Sequence, residues 1–279
     1  MKVYSKISDF KIALDELKSQ GKSIGFIPTM GALHQGHISL VNESVNECDI
    51  TVVSIFVNPT QFNNSDDLEN YPRTLEQDLT LLKSTKCDLV LTPSASDVYS
   101  SDFVSTNLNL GDLETVMEGK HRPGHFDGVV NVVKRFFDFI QPDKAYFGLK
   151  DFQQVSVIKF MVNSFNLPVD IVACPTLRES SGLALSSRNK RLSNSDKADS
   201  LIIHKTLLLA KEKSTLLNPI QVTNSCIDFF NSGNLKLEYF EIVDPLTLKT
   251  LTDTWVEGAT ACIVAFCGDV RLIDNLQLK

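Results

Sequence analysis

The chain has 279 residues, a formal net charge of −7, 43% hydrophobic and 22% charged residues, enough for a full core in one large or, more in keeping with the length, two domains. The acidic balance argues against a nucleic-acid partner, which normally demands a basic face, and no apolar run approaches the roughly 18 residues that span a bilayer. The opening stretch "MKVYSKISDFKIALDELKSQGKSIG" is polar and helix-like without the apolar core of a signal peptide, so the sequence reads as cytoplasmic, with no membrane partner.

In chain order, residues 8–20 show helical periodicity through Ile12, Leu14 and Leu17, and "SIGFIPT" (23–29) reads as a short buried strand. A helix follows over 37–47, then the β-branched run "DITVVSIFVN" (49–58), of the kind found in buried parallel strands. The rhythm continues with a helix at 72–85, a strand at 88–92, a helix at 126–140, a strand at 144–148, a helix at 151–165 and a strand at 169–175. Each strand-to-strand interval has room for a crossover helix, which predicts a Rossmann-like parallel-sheet α/β domain over 1–176. Beyond it, the polar bridge "TLRESSGLALSSRNKRLSNSD" leads to helices at 194–213 and 219–231 and strands at 235–244, 259–267 and 270–273, a smaller α+β C-terminal domain over 177–279.

Six cysteines, Cys48, Cys87, Cys174, Cys226, Cys262 and Cys267, form no Cys-x-x-Cys pair and read as reduced thiols. Histidines are fewer, and two of the five stand three residues apart in "IPTMGALHQGH". His34 and His37 can simply cap a helix or face solvent. A zinc site of the His-Glu-x-x-His type needs a carboxylate where this chain has Gln35. The surroundings favour phosphate: a strand ends at Thr29, Gly31 and Gly36 permit close approach, and a helix begins at His37, where backbone N–H groups and a partial positive charge await an anion.

"PTMGALHQGHISLV" resembles the signature of the pantothenate synthetase (pantoate–β-alanine ligase) family, members of the nucleotidyltransferase superfamily with a His-x-Gly-His motif. "VSIFVNPTQF" (53–62), "YPRTLEQD" (71–78), "HRPGHFDGVVNVV" (121–133), "FGLKDFQQ" (147–154) and "TLRESSGLALSSRN" (176–189) are similar to family blocks in the family's order. The resemblance implies ATP-dependent condensation of pantoate with β-alanine through a pantoyl adenylate, with AMP and pyrophosphate released. It implies His34, His37, Lys150 and Arg188 as catalytic residues. ATP would be held by these four with Met30, Gly31, Gly36, Gly148, Leu149, Asp151, Leu177, Leu185, Ser186 and Ser187, the 185–189 stretch acting as a mobile loop of a C-terminal domain that serves as a lid.

For the acid and amine substrates the resemblance implies Gln61 and Gln154, with Asn58, Arg122, His125 and Met30 beside them. Neutral amides suit hydroxyl groups, since each offers donor and acceptor; Met30 serves equally as an apolar wall or as plain core. Mg²⁺ accompanies ATP, with Asp78 and Asp151 as its candidate ligands. The resemblance also implies a homodimer. One departure stands out: Leu149 occupies the place where the family usually carries Glu. The competing readings are a nucleotidyltransferase that leaves the nucleotide on its product and a non-catalytic nucleotide binder.

Overall fold

The computed structural model describes residues 1–63 and 65–279. Its strands are β1 (Lys2–Tyr4), β2 (Ile24–Thr29), β3 (Ile50–Ile55), β4 (Leu89–Leu91), β5 (Lys144–Gly148), β6 (Asp170–Cys174), β7 (Lys236–Val243), β8 (Thr260–Cys267) and β9 (Val270–Gln277). Its α-helices are α1 (Ile7–Ser19), α2 (Gln35–Glu47), α3 (Ser65–Glu69), α4 (Leu75–Lys83), α5 (Ala95–Val98), α6 (Asp112–Thr115), α7 (Met117–His121), α8 (His125–Ile140), α9 (Phe152–Ser164), α10 (Asn194–Lys213) and α11 (Pro219–Phe230). The chain divides into two units, neither a single run of sequence. The first comprises Met1–Leu110, His121–Gly148 and Val157–Cys174, the second Gly111–Lys120, Leu149–Ser156 and Pro175–Lys279.

The first unit is built on a parallel sheet of order β1-β4-β3-β2-β5-β6. Strands β2 and β3 are buried along almost their whole length, as parallel strands covered by helices on both faces are. Ile27, Val53, Val90 and Tyr146 of the sheet pack with Ile38, Leu40 and Val41 of α2 and Leu82 of α4 in one buried cluster. From β2 the chain steps outward to β3 and β4, then returns to lay β5 and β6 on the other side of β2. The β2–β5 boundary is therefore the topological switch point, and the crevice outside the strand carboxyl ends there is where open α/β sheets take ligands.

The edge strand β1 was not expected; the opening stretch reads as polar and helical. Lys2, Val3 and Tyr4 pair with Leu89, Val90 and Leu91, a short and largely exposed edge without a periodic apolar signal.

In the second unit, β7, β8 and β9 form an antiparallel sheet packed against α10 and α11. Phe230 of α11, Leu207 of α10 and Ile263 of β8 are among its fully buried side chains. Strand β9 runs to Gln277, four residues past the expected end at 273, because the polar pair Asp274–Asn275 is buried by partners rather than left in a turn. The six cysteines are all free thiols, and burial pushes the pKa values of Cys87 and Cys226 up to about 12. Among the described residues no helix is long and apolar enough to cross a membrane.

Candidate active site

The switch-point turn begins where β2 ends. The Thr29 hydroxyl donates to the Ser54 carbonyl of β3 at 2.7 Å and accepts the Gly31 amide at 3.2 Å, turning the chain off the sheet. Gly31 sits at φ +81°, a conformation that favours glycine, and a Cβ there would meet Asp78 Oδ2 and Ile55 Cγ2, each at 3.1 Å. Ala32 follows at φ +49°, a region that costs a non-glycine residue about 1–3 kcal/mol and persists only when its surroundings enforce it. Asp78 is what enforces it. Its Oδ2 accepts the Ala32 amide at 2.9 Å and its Oδ1 accepts the Leu33 amide at 2.8 Å and the Thr74 hydroxyl at 3.1 Å, all at 2% exposure.

Asp78, expected from the resemblance as a candidate metal ligand, is thus a buried carboxylate that anchors the turn through two backbone amides and a hydroxyl. Among the described residues no group of three His, Cys, Asp or Glu could hold a metal ion.

Helix α2 starts at Gln35, two residues earlier than the sequence suggests, because His34 is its N-cap. His34 Nδ1 accepts the Gly36 amide at 3.1 Å, and His37 Nδ1 accepts the His34 amide at 3.3 Å, a reciprocal capping box made by two imidazoles. The ring centroids stand 4.1 Å apart. With Nδ1 accepting, the proton of each neutral ring sits on Nε2, which becomes a donor. The capping and phosphate roles are thus compatible, since capping uses Nδ1 and leaves the proton of a neutral ring on Nε2.

Next to this turn, Asn58 and Gln61 bracket a 3-10 turn, Pro59–Gln61, after β3. Asn58 Nδ2 donates to Gln61 Oε1 and to the Gly128 carbonyl of α8, both at 3.1 Å. Its Oδ1 accepts the Tyr99 hydroxyl at 2.7 Å and the Thr60 hydroxyl at 3.0 Å. Burial holds the Tyr99 phenol above its ordinary pKa, against the opposing pull of its bonds to Thr60 and Asn58, so it stays a donor. Asn58, expected on the substrate side, is 1% exposed, and its amide is engaged by Gln61, Gly128, Tyr99 and Thr60.

Helix α8 approaches this turn so closely that a Cβ on Gly128 would fall 2.5 Å from the Thr60 carbonyl and 2.6 Å from Gln61 Cα. Gln61 Nε2 lies 3.2 Å from Met30 Sδ, and the Gln61 carbonyl lies 2.8 Å from His125 Nδ1, whose Nε2 lies 3.1 Å from Arg122. Met30, Gln61, His125 and Arg122 are therefore contiguous, and His125 is buried where it supports the Gln61 backbone. Strand β5 ends at Gly148.

The remaining candidates belong to the second unit. Leu149, Lys150 and Asp151 form a 3-10 turn leading into α9, with the Lys150 ammonium 3.5 Å from the Asp151 carboxylate. Leu149 supplies no carboxylate; its carbonyl, like that of Lys150, accepts from Asn275 Nδ2 at 2.9 Å. Gln154 is partly exposed on α9, whereas its neighbour Gln153, which the sequence did not single out, is 2% exposed. Gln153 Oε1 accepts the Glu118 amide at 2.8 Å, and its Nε2 donates to the Leu113 and Val116 carbonyls at 2.8 and 3.0 Å.

Leu177 is exposed at the start of a hairpin in which the Leu185 amide donates to its carbonyl at 3.0 Å. Ser186 caps a 3-10 turn, Ser187–Arg191, by accepting the Arg188 amide at 3.2 Å; Ser187 is buried and Arg188 is not. Arg178, also not singled out, pairs through both terminal nitrogens with Asp274.

A parallel sheet covered by helices, whose switch point opens onto a capped helix start, defines a Rossmann-like α/β fold. The comparisons narrow this. The family model described as pantoate-beta-alanine ligase matches residues 2–277. A pantothenate synthetase of Porphyromonas gingivalis is 48% identical over 282 residues, covering 100% of both chains, and one of Bacteroides thetaiotaomicron is 46% identical, covering 100% of this chain and 99% of the relative. The crystal structure of pantothenate synthetase from Thermus thermophilus superposes with a TM-score of 0.94 at 38% identity, covering 100% of this chain and 99% of that one. A pantoate-beta-alanine ligase from Francisella tularensis, complexed with beta-gamma ATP and beta-alanine, superposes at 0.82 with 36% identity, covering 100% and 98%. The chain belongs to the pantoate-beta-alanine ligase family.

Proposed function

We propose that this protein joins pantoate to β-alanine at the expense of ATP. The observation that carries the reading is the family match over residues 2–277, in a chain that retains His34 and His37 as mutual caps at the β2 switch point. In the first half-reaction an oxygen of the pantoate carboxylate attacks the α-phosphorus of ATP, the bond to the bridging oxygen breaks, and pyrophosphate leaves. In the second, the neutral amine of β-alanine attacks the acyl carbon, AMP leaves, and the amine proton is lost to solvent. Adenylation is needed because an unactivated carboxylate has only oxide to expel.

Catalysis of the first step is mainly positioning and charge neutralisation. By the family resemblance, His34 and His37 of the first unit are phosphate donors through Nε2, with Met30, Gly31, Gly36 and Gly148 as nucleotide-binding residues; in the second unit Lys150 supplies a mobile charge and Ser186, Ser187 and Arg188 are phosphate donors, with Leu149, Leu177 and Leu185 as nucleotide-binding residues. Gln61 and Gln154 take the pantoate hydroxyls. Arg122 serves the substrate side, with His125 behind it as support.

Mg²⁺ enters with ATP. Asp78 does not fit as its ligand, whereas the half-exposed carboxylate of Asp151 does, alongside phosphate oxygens. When bound, the ion withdraws charge from the pyrophosphate leaving group. The lid role of residues 177–279 and the homodimer rest on the family resemblance; the cytoplasmic setting rests on the six reduced thiols.

Incubation of the protein with ATP, pantoate and β-alanine tests the reading. AMP formation dependent on both acid and amine is expected. A nucleotide retained on the product, or no turnover, would contradict it.

A further inference from the structure

Two adjacent residues of β9 hold both phosphate-side elements of the second unit. Asn275 Nδ2 donates to the Leu149 and Lys150 carbonyls, each at 2.9 Å, so both amide hydrogens are spent on the turn that carries Lys150. Asp274 Oδ1 accepts the Asn275 amide at 2.8 Å and the Arg178 guanidinium at 2.9 Å, while Oδ2 takes the second arm of that guanidinium. Arg178 also donates to the Gly182 carbonyl at 3.1 Å and the Asn275 carbonyl at 3.3 Å. It stands at the base of the hairpin, closed by the Arg178–Ala184 bridge, that leads directly into Ser186–Arg188. Asp274 and Asn275 are 4% and 9% exposed, so neither has a role facing bulk solvent.

Two polar residues buried on a sheet strand are costly unless every donor and acceptor has work. Packing alone would be better served by apolar residues, as elsewhere on β9 at Leu272. The work done here is geometric. The two carbonyls precede the first full turn of α9, and pinning them to a strand fixes the backbone from which the Lys150 side chain projects.

We propose that Asn275, braced by Asp274, is a positioning residue for adenylate formation: it sets the Lys150 turn and, through Asp274 and Arg178, couples that turn to the Ser186–Arg188 loop. This rests on the reading that Lys150 and Arg188 act on ATP phosphate. Asn275 touches no reacting atom and acts only through the backbone of Leu149 and Lys150.

A double-mutant cycle on pantoate-dependent pyrophosphate–ATP exchange tests it. Misplacing a catalytic group by about 1 Å costs on the order of 100-fold. Asn275→Ala is therefore expected to lower the maximal exchange rate by about that factor, with the KM for pantoate changed by less than about threefold. In a Lys150→Ala background the same substitution should cost less than about threefold, because the group it positions is already gone. Asn275→Ser, which keeps one hydroxyl donor, should recover part of the rate and carries the same cycle should the Ala variant fold poorly.

Equal losses in both backgrounds would overturn the inference, because a merely structural role acts regardless of Lys150. Loss of the folded state in both Asn275 variants would overturn it too. A Lys150→Ala protein with wild-type exchange would instead overturn the underlying reading of Lys150, and so the two failures are distinguishable.

Discussion

His34 and His37 cap each other: His34 Nδ1 accepts the Gly36 amide at 3.1 Å while His37 Nδ1 accepts the His34 amide at 3.3 Å. The same bonds that start α2 fix both ring orientations and leave Nε2 as the donor. Fold and chemistry are thus separable at one residue. His34→Ala loses the cap and the donor, and its melting temperature should fall by the equivalent of about 0.5–2 kcal/mol. Asparagine is a good N-cap, so His34→Asn should restore the melting temperature while adenylation stays about 100- to 1,000-fold down, the usual loss for one oxyanion-type donor. Wild-type turnover in the Asn variant would mean that the imidazole is only a cap.

Asp78 holds the Ala32 and Leu33 amides with separate oxygens. Asp78→Asn keeps the shape but turns an amide NH₂ toward a backbone N–H, leaving at least one buried donor unpaired at about 1–3 kcal/mol. We expect a lower melting temperature and weakened turnover, neither restored by raising Mg²⁺. Recovery of activity at high Mg²⁺ would return Asp78 to the metal site.

Asn58 donates to Gln61 Oε1, and Gln61 is assigned to a pantoate hydroxyl. A site built to hydrogen-bond a hydroxyl rejects the analogue lacking it, because its own polar groups go unpaired. Deoxy analogues of pantoate should lose activity with the wild type and lose much less with Gln61→Ala or Gln154→Ala, both of which keep their ATP affinity. If both variants instead lose ATP binding and still discriminate against deoxy analogues, the glutamines belong to the nucleotide.

His204 gives a pH signature to the second unit. Burial, reinforced by the charge of Arg178 and opposed by Asp274, lowers its pKa below 6.5. The unfolded chain then takes up a proton at higher pH than the folded one, so this contribution to stability is complete above pH 6.5 and lost as pH falls through the folded pKa. Melting temperatures followed from about pH 8 to about pH 5 should fall more steeply for the wild type than for His204→Gln. Parallel curves would show that His204 does not titrate between the two states.

The strand–helix alternation of the first unit was legible because β2 and β3 are rich in apolar and β-branched residues and each interval between strands leaves room for a crossover helix. Strand β1 was not, since a three-residue edge beside β4 needs no apolar pattern. Among site residues the block around "HQGH" was legible from glycine spacing and the preceding strand. What residue type cannot convey is whether a polar side chain faces a ligand or another side chain. Asn58 and Asp78 stand in blocks that resemble binding motifs, yet both are consumed internally by bonds to Gly128, Tyr99, Ala32 and Leu33. Asp274–Asn275 looks like a strand end for the same reason. The partners that bury it, Arg178 and the carbonyls of Leu149 and Lys150, lie about a hundred residues away in sequence.

Lys150 tests charge neutralisation in the first step. Its Ala variant should slow adenylate formation by about 100- to 1,000-fold, or about 2.7–4 kcal/mol, while pantoate affinity changes little. Near wild-type turnover would remove Lys150 from the chemistry.

The central claim is a two-step reaction through an acyl adenylate, and pyrophosphate release without the amine addresses it most directly. Protein mixed with ATP and pantoate alone should give a burst of pyrophosphate approaching one equivalent per site, and labelled pyrophosphate should exchange into ATP. Complete dependence of both signals on β-alanine would contradict the two-step account.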